Sequence, residues 1–173
     1  MRLFFALLPD AAASKRLAEV AAGLDLRTSR PVPAENYHVT LTFIGDIEDS
    51  ALSSLRKLGE ALTAFRGAVS FCKCEFWPHS RVLVVAGDAI SPAIVDFVDR
   101  LQFLVASHRT SNAMEHCWKP HVTLARNVSQ APVLQAMSPI GWIASSFALM
   151  SSERRDGRSV YTVVDTYPLL DKI

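Results

Sequence analysis

The tetrapeptide His-Val-Thr-Leu occurs twice in this chain of 173 residues, at 38–41 and again at 121–124. The residues before the two copies are unrelated, PAENY in one case and HCWKP in the other. Shorter likenesses accompany the motif: LFFA at 3–6 with LVVA at 83–86, and VSF at 69–71 with SSF at 145–147. Each pair is separated by close to half of the chain. An internal repeat of this length is stronger evidence for the fold than the pattern of any single segment. The fold is therefore predicted to contain one structural unit twice.

Both copies lie in segments with the period of a β-strand. In the first, Tyr37, Val39, Leu41 and Phe43 alternate with the polar residues His38, Thr40 and Thr42. Successive side chains of a strand point to opposite faces, so His38 and Thr40 are predicted to share one polar face. KPHVTLARN is predicted to form an equivalent strand.

The remaining segments predict strands and helices in a similar order in each half. MRLFFALLP is read as a buried first strand, and Asp10 caps a helix that runs to about residue 22. A second helix follows Asp49, and Ser91-Pro92 begins a third. Further strands are predicted at AVSFCKCEFW, SRVLVVAGD, SSFALMSS and SVYTVVDTYPL, the last two joined by a turn at Asp156-Gly157.

These elements predict an α+β fold, with residues 1–173 forming a single bilobal domain. We expect a pseudo-two-fold duplication of two mainly antiparallel sheets, with helices outside and a central cleft. The two motif strands are expected to face each other across that cleft.

Composition narrows the classes of function. The net charge of +1 and pI near 7.8 lack the broad basic field of non-specific duplex binders, so any nucleic-acid contact should be local. Three cysteines, Cys72, Cys74 and Cys117, form an odd set that favours a reducing compartment, and the predicted location is cytoplasmic. The apolar run at the start is too short for a secretory signal or a membrane helix.

The repeated motif suggests acid–base chemistry at one phosphate. A His and a Thr two residues apart on a strand face lie about 6–7 Å apart, so both can touch one small anion. Two copies supply two imidazoles, and a pKa of about 6.5 lets one be neutral and the other protonated. One isolated His-x-Thr is usually an ordinary strand pair, but two at equivalent points of a repeat favour metal-free phosphodiester cleavage.

The paired motifs resemble those of the two-histidine (2H) phosphoesterase superfamily. Within it the sequence is most similar to the RNA 2',3'-cyclic phosphodiesterases, historically called 2'-5' RNA ligases. The likeness extends over RLFFALLP, RPVPAENYHVTLTFIGD, WPHSRVLVVAG, KPHVTLAR and SSERRDGRSVYTVVDTYPL. The resemblance implies hydrolysis of an RNA terminal 2',3'-cyclic phosphate to a 2'-phosphomonoester, and reversible 2'-5' joining in some members.

The same resemblance implies roles for individual residues. His38 would donate a proton to the leaving 3' oxygen, and His121 would accept one from the attacking water. Thr40 and Thr123 would bind the non-bridging phosphate oxygens. No metal or cofactor is implied, and the expected partner is an RNA terminus or a small oligonucleotide bearing a cyclic phosphate. No protein partner or membrane is predicted, and the chain is taken to be a monomer.

Further candidates match family positions less directly. Arg126 corresponds to a phosphate-binding arginine, but strict alternation from His121 puts it on the opposite face unless a bulge follows Leu124. Phe43 corresponds to an aromatic residue that could stack on a base, although alternation favours a place in the core beside Leu41. Candidate nucleotide contacts also include Trp77, Arg81 and Tyr161, of which the tyrosine would more often be structural.

Two other functions remain open from the residues alone. The chain could act on small cyclic phosphates, such as a cyclic nucleotide or an ADP-ribose cyclic phosphate, with the same pair of histidines. It could also be a non-catalytic module that captures phosphorylated RNA ends, which the intact pair of motifs disfavours.

Overall fold

The computed structural model describes residues 1–27, 29–108, 118–134, 136–155 and 158–171. Its helices are α1 (Ala11–Ala22), α2 (Asp49–Ala61) and α3 (Pro92–Val105). Its strands are β1 (Arg2–Leu7), β2 (Arg30–Pro31), β3 (Val39–Asp46), β4 (Gly67–Trp77), β5 (Val82–Ile90), β6 (His121–Arg126), β7 (Ile140–Ala144), β8 (Ser146–Arg155) and β9 (Arg158–Pro168). The predicted Asp156-Gly157 turn and Cys117 lie outside the described residues.

The strands form one sheet in the order β7-β4-β5-β6-β3-β1-β8-β9, with β2 added beside β6. All neighbouring strands in it are antiparallel. We call β3-β1-β8-β9 the first lobe and β7-β4-β5-β6 the second lobe. The sheets of the two lobes join where β3 pairs with β6, at Val39 and Val122. The predicted α+β class is confirmed, and the two motif strands lie side by side in one sheet instead of facing each other.

The two lobes are interleaved along the chain. The first lobe combines β1 and β3 with β8 and β9, whereas the intervening strands β4 to β7 build the second lobe. The helices also cross over, because α1 packs on β6 and β7 while α3 packs on β3 and β4. The first lobe is therefore built from two separate segments of sequence, and the strands of the second lobe lie between them. The prediction of a single bilobal domain over 1–173 stays a prediction.

The helices cover one face of the sheet and build the main core there. The Asp10 side chain caps α1 by accepting a hydrogen bond of 2.7 Å from the Ala13 amide, as predicted. Helix α3 begins at Pro92 after Ser91, as predicted, and its buried face consists of Ile94, Phe97, Val98, Leu101 and Val105. On the opposite face, the described residues include a small apolar cluster formed by Phe4, Ala6, Ala148 and Met150. That sparsely covered face is the one available for a functional site.

None of the helices in the described ranges is both long and apolar enough to cross a membrane. The two cysteines within those ranges, Cys72 and Cys74, are free thiols.

Candidate active site

Each motif strand contains a β-bulge at its fourth motif residue. Against β1, Thr40 pairs with Ala6 and Thr42 with Phe5, which leaves Leu41 as an extra residue. Against β5, Thr123 pairs with Val84 and Ala125 with Leu83, which leaves Leu124 in the same position. A bulge of one residue resets the alternation of side chains. The fifth residue after each histidine therefore returns to the histidine face.

These two reset positions are Phe43 and Arg126. The bulge needed to bring Arg126 beside His121 is present, and the guanidinium is half-buried. Core packing of Phe43 is wrong as a prediction, because its ring is 59% exposed. Strict alternation would place the Phe43 side chain in the core beside Leu41. The bulge at Leu41 instead turns the Phe43 side chain towards the histidines and buries that of Thr42.

Different donors satisfy the two bulged carbonyl groups. The Gln102 side chain on α3 donates 3.0 Å to the main-chain oxygen of Leu41. In the second copy the Val32 main-chain amide donates 2.8 Å to the oxygen of Leu124. The indole of Trp118 adds a bond of 2.9 Å to the Thr40 oxygen. Both bulges are thus locked by partners that are distant in sequence.

The two imidazoles are held in the same way. Nδ1 of His38 lies 2.7 Å from the main-chain oxygen of Asn36, and Nδ1 of His121 lies 2.7 Å from that of Lys119. A carbonyl oxygen only accepts hydrogen bonds, so Nδ1 carries the hydrogen in each ring. In the neutral state Nε2 is therefore the free base, and in the protonated state it is the acid.

The register of β3 and β6 groups the motif side chains. Continuing the Val39–Val122 pair by one residue on each side sets His38 opposite Thr123 and Thr40 opposite His121. Side chains directly opposite in an antiparallel pair have Cβ atoms about 4.5–5.5 Å apart. All four side chains are half-buried, while Val39 and Val122 between them point into the core. The pattern is a small rectangle of two imidazoles and two hydroxyls.

Aromatic rings border each imidazole, to different extents. His38 packs against Phe4 and Tyr161, with ring centroids 5.0 Å away in both cases. His121 packs against Trp77 at 4.6 Å, and the indole nitrogen of that ring donates 2.9 Å to the Glu75 carboxylate. His38 is consequently in the drier environment.

Burial and charge lower the basicity of both rings. Burial lowers the pKa of His38 to about 4, opposed by the hydrogen bond to Asn36 and assisted by the positive charges of Arg126 and His121. Burial also lowers the pKa of His121, opposed by its bond to Lys119, and Arg126 adds to the decrease. In the free protein both rings are therefore neutral near pH 7, and a bound anion would favour their protonation.

Arg126 lies within reach of both histidines and of Tyr161. Its Nη2 donates 3.3 Å to the Tyr161 hydroxyl, and its charge acts on both imidazoles. It lines a cleft of about 150 Å³ together with Arg2, Phe4, His38, Phe43, Ser152, Ser159 and Tyr161. The structure thus brings together the predicted residues His38, Phe43, Arg126 and Tyr161, with Trp77 beside the second histidine.

Arg81 differs from the other candidates in its surroundings. It adopts a positive φ of 53° in the turn between β4 and β5, and its Nε donates 3.4 Å to the Val128 oxygen. Its described contacts therefore place it past the end of β6 and away from the imidazoles. Sequence reasoning missed Phe4 and Arg2, although both belong to the RLFFALLP segment of the family resemblance.

Comparison with known proteins places the chain among phosphoesterases. The sequence profile described as LigT like Phosphoesterase matches residues 7–82. An RNA 2',3'-cyclic phosphodiesterase of Thermus thermophilus is 30% identical, over 98% of this chain and 90% of that protein. One from Escherichia coli is 26% identical, over 97% and 96%. The crystal structure of E. coli LigT complexed with phosphate is 25% identical with a TM-score of 0.83, covering 97% of this chain and 96% of that one.

Proposed function

This chain belongs to the family of LigT-like phosphoesterases, and from that membership we propose that it hydrolyses a terminal 2',3'-cyclic phosphate on RNA to a 2'-phosphomonoester. The observation that carries the proposal is the matched pair of imidazoles. Each has Nδ1 bound to a main-chain oxygen at 2.7 Å, and each presents Nε2 from one of two adjacent strands. Two such nitrogens on one face suit the concerted transfer of two protons.

The reaction needs one base and one acid on opposite sides of the phosphorus. Nε2 of His121 removes a proton from water as the water oxygen forms its bond to phosphorus. The bond from phosphorus to the 3' oxygen breaks, and Nε2 of His38 gives that oxygen a proton. The 2' ester bond is retained, so the product is a 2'-phosphate. The choice of donor and acceptor follows the family resemblance, since the two rings are held in the same way.

The polar groups around the two imidazoles would hold the phosphate. The hydroxyls of Thr40 and Thr123 would donate hydrogen bonds to the non-bridging oxygens, and Arg126 would supply the opposing charge. Charge that develops on phosphorus-bound oxygens is then met by donors already in position, which is the main source of rate in such sites. The anion also raises the pKa of both histidines, so that one can hold the proton that the acid must deliver.

The adjacent rings would contact the terminal nucleotide. Phe43 presents an exposed ring beside Phe4, with centroids 5.8 Å apart, and could stack on a base without regard to its identity. Trp77 and Tyr161 flank the two histidines and would border the ribose. The chain is proposed to act as a monomer on an RNA terminus.

The test is incubation of the purified protein, with EDTA present, with a short RNA that ends in a 2',3'-cyclic phosphate. The position of the phosphate in the product is then mapped. We expect a 2'-phosphate from wild type, and loss of turnover in His38→Ala and in His121→Ala. A 3'-phosphate product would contradict the proposed roles.

Two outcomes would point to the other functions. Turnover of small cyclic nucleotides with no gain from added nucleotides would favour a small-molecule phosphodiesterase. Tight binding of the RNA end with no turnover at any enzyme concentration would favour a capture module.

A further inference from the structure

The cleft extends from the histidines along the first lobe. Arg2 on β1 pairs directly with Ser152 on β8, and Ser152 pairs with Tyr161 on β9. Directly opposite residues share a face of the sheet. Because the Tyr161 ring packs against His38, this row lies on the face that carries the active site.

Ser159 continues the same surface. It lies two residues before Tyr161 on β9, so the two side chains share a face, and it lines the cleft together with Arg2. Its main-chain oxygen accepts a hydrogen bond of 3.4 Å from the Asn36 side chain. The main-chain oxygen of Asn36 orients His38, so this part of β9 is tied to the catalytic ring.

The charge of Arg2 is available to a ligand. Within the described part of the chain, Arg2 forms no ion pair. Asp46 lies opposite Arg2 in the register of β3, but none of the ion pairs among the described residues joins the two. Glu153 on β8 is instead paired with Arg155 at 2.8 Å. One guanidinium and two nearby hydroxyls form a set of donors typical of anion sites.

Phe4 connects Arg2 to the imidazole of His38 along this face of β1. Arg2 lies two residues before Phe4, about 6–7 Å along the strand, and Phe4 touches both His38 and Phe43. Neighbouring phosphates of an RNA strand are joined through a single sugar, and the base on that sugar can splay out and stack on an aromatic ring. A phosphate at the histidines and a second one at Arg2 would therefore leave room for one sugar, with its base on Phe43.

We propose that Arg2, with the hydroxyls of Ser152 and Ser159, binds the phosphate on the 5' side of the terminal nucleotide. This subsite rests on the proposed function and narrows its substrate class. The enzyme would select RNA chains, or nucleotides with a 5'-phosphate, over nucleosides that carry the cyclic phosphate alone.

The experiment compares adenosine 2',3'-cyclic phosphate with the same compound carrying a 5'-phosphate. Wild type should have a kcat/KM about tenfold higher for the 5'-phosphorylated compound, the scale of one charge-assisted hydrogen bond. In Arg2→Gln that ratio should fall to about one, and Arg2→Lys should retain part of it. The matched control is Arg16→Gln, an exposed arginine on α1, which should keep the wild-type ratio.

Equal efficiency of wild type on the two compounds would overturn the subsite, as would an unchanged ratio in Arg2→Gln. Failure of wild type to hydrolyse either compound or cyclic-phosphate RNA would instead contradict the proposed function. In that case the Kd values of adenosine 2'-phosphate and adenosine 2',5'-bisphosphate decide the subsite. Tighter binding of the bisphosphate that is lost in Arg2→Gln supports the subsite, and equal affinities for the two compounds overturn it.

Discussion

The two motif strands have the same backbone and different surroundings. Both place a His and a Thr on one face, both bulge at the following Leu, and both fix Nδ1 by a bond of 2.7 Å to the main chain. Five residues after the histidine, however, one strand presents Phe43 and the other Arg126. The duplicated motif thus provides two imidazoles that are held in the same way. At the fifth position after the histidine, the aromatic ring of the first strand suits stacking on a nucleobase, and the guanidinium of the second suits a phosphate.

A second difference lies in the rings beside each histidine. His38 lies between Phe4 and Tyr161, whereas Trp77 is the ring packed against His121. Two nearly identical motifs can therefore place their imidazoles in surroundings that exclude water to different degrees.

The largest expected effect comes from removing either imidazole. His38→Ala and His121→Ala should each lower kcat on cyclic-phosphate RNA by about 10³-fold, because each would remove one proton transfer. The double variant should be no more than slightly worse, since the two rings act as a unit. Single-turnover rates, with circular dichroism to check folding, measure this. Activity within tenfold of wild type in one single variant would break the equivalence of the copies.

The next largest effect concerns the residue that distinguishes the second strand. Arg126→Gln should lower kcat/KM about 10- to 100-fold through loss of a charged hydrogen-bond donor to phosphate. Arg16→Gln is a control, because Arg16 is an exposed arginine on α1. Equal losses in the two variants would mean that general surface charge, and not the reset position, is responsible.

The pH profile tests the basicity of the pair. kcat/KM reports the free enzyme, which must hold one protonated and one neutral imidazole. Since burial lowers both pKa values below 6.5, the protonated ring is lost as pH rises, and kcat/KM should peak below about pH 6.5. Arg126→Gln should move the alkaline limb to higher pH, because a positive charge near both rings is gone. A wild-type optimum above pH 7 would contradict this reading.

Substitution at the matching position of the first strand should have a smaller effect. Phe43→Leu should raise KM for RNA about fivefold with little change in kcat, the lower end of the range for lost base stacking. Val133→Leu changes an aliphatic side chain that is 86% exposed and should leave KM as it is. A change in kcat alone would show that Phe43 acts on the chemistry and not on the base.

The smallest effect concerns the support of the first bulge. Gln102→Leu leaves the Leu41 carbonyl without its side-chain donor and should lower the free energy of unfolding by about 1–2 kcal/mol. Phe103→Leu, one residue away and 80% exposed, should change it far less. Urea unfolding measures both. No difference between the two variants would show that the Leu41 carbonyl finds another partner.

Local patterns predicted most of the elements and the family. The cap at Asp10, the start of α3 at Ser91-Pro92 and the strand character of both motifs depend on neighbouring residues, and the structure has all three. Phe43 could not be placed, because the bulge that turns it towards the site belongs to the pairing of β3 with β1, and its Leu41 carbonyl is bound by Gln102, far along the chain. The side-by-side position of the motif strands likewise follows from pairing between distant segments.

The interleaving of the lobes also affects how the chain folds. Strand β1 pairs with both β3 and β8, so its sheet cannot be completed until Ser146–Arg155 is available. Contacts between such distant segments slow folding, because the chain loses the entropy of closing a long loop before the strand pairing can stabilise it. During synthesis on a ribosome, the second lobe could assemble first, and the Phe4 and Tyr161 rings would enclose His38 only when nearly the whole chain had emerged.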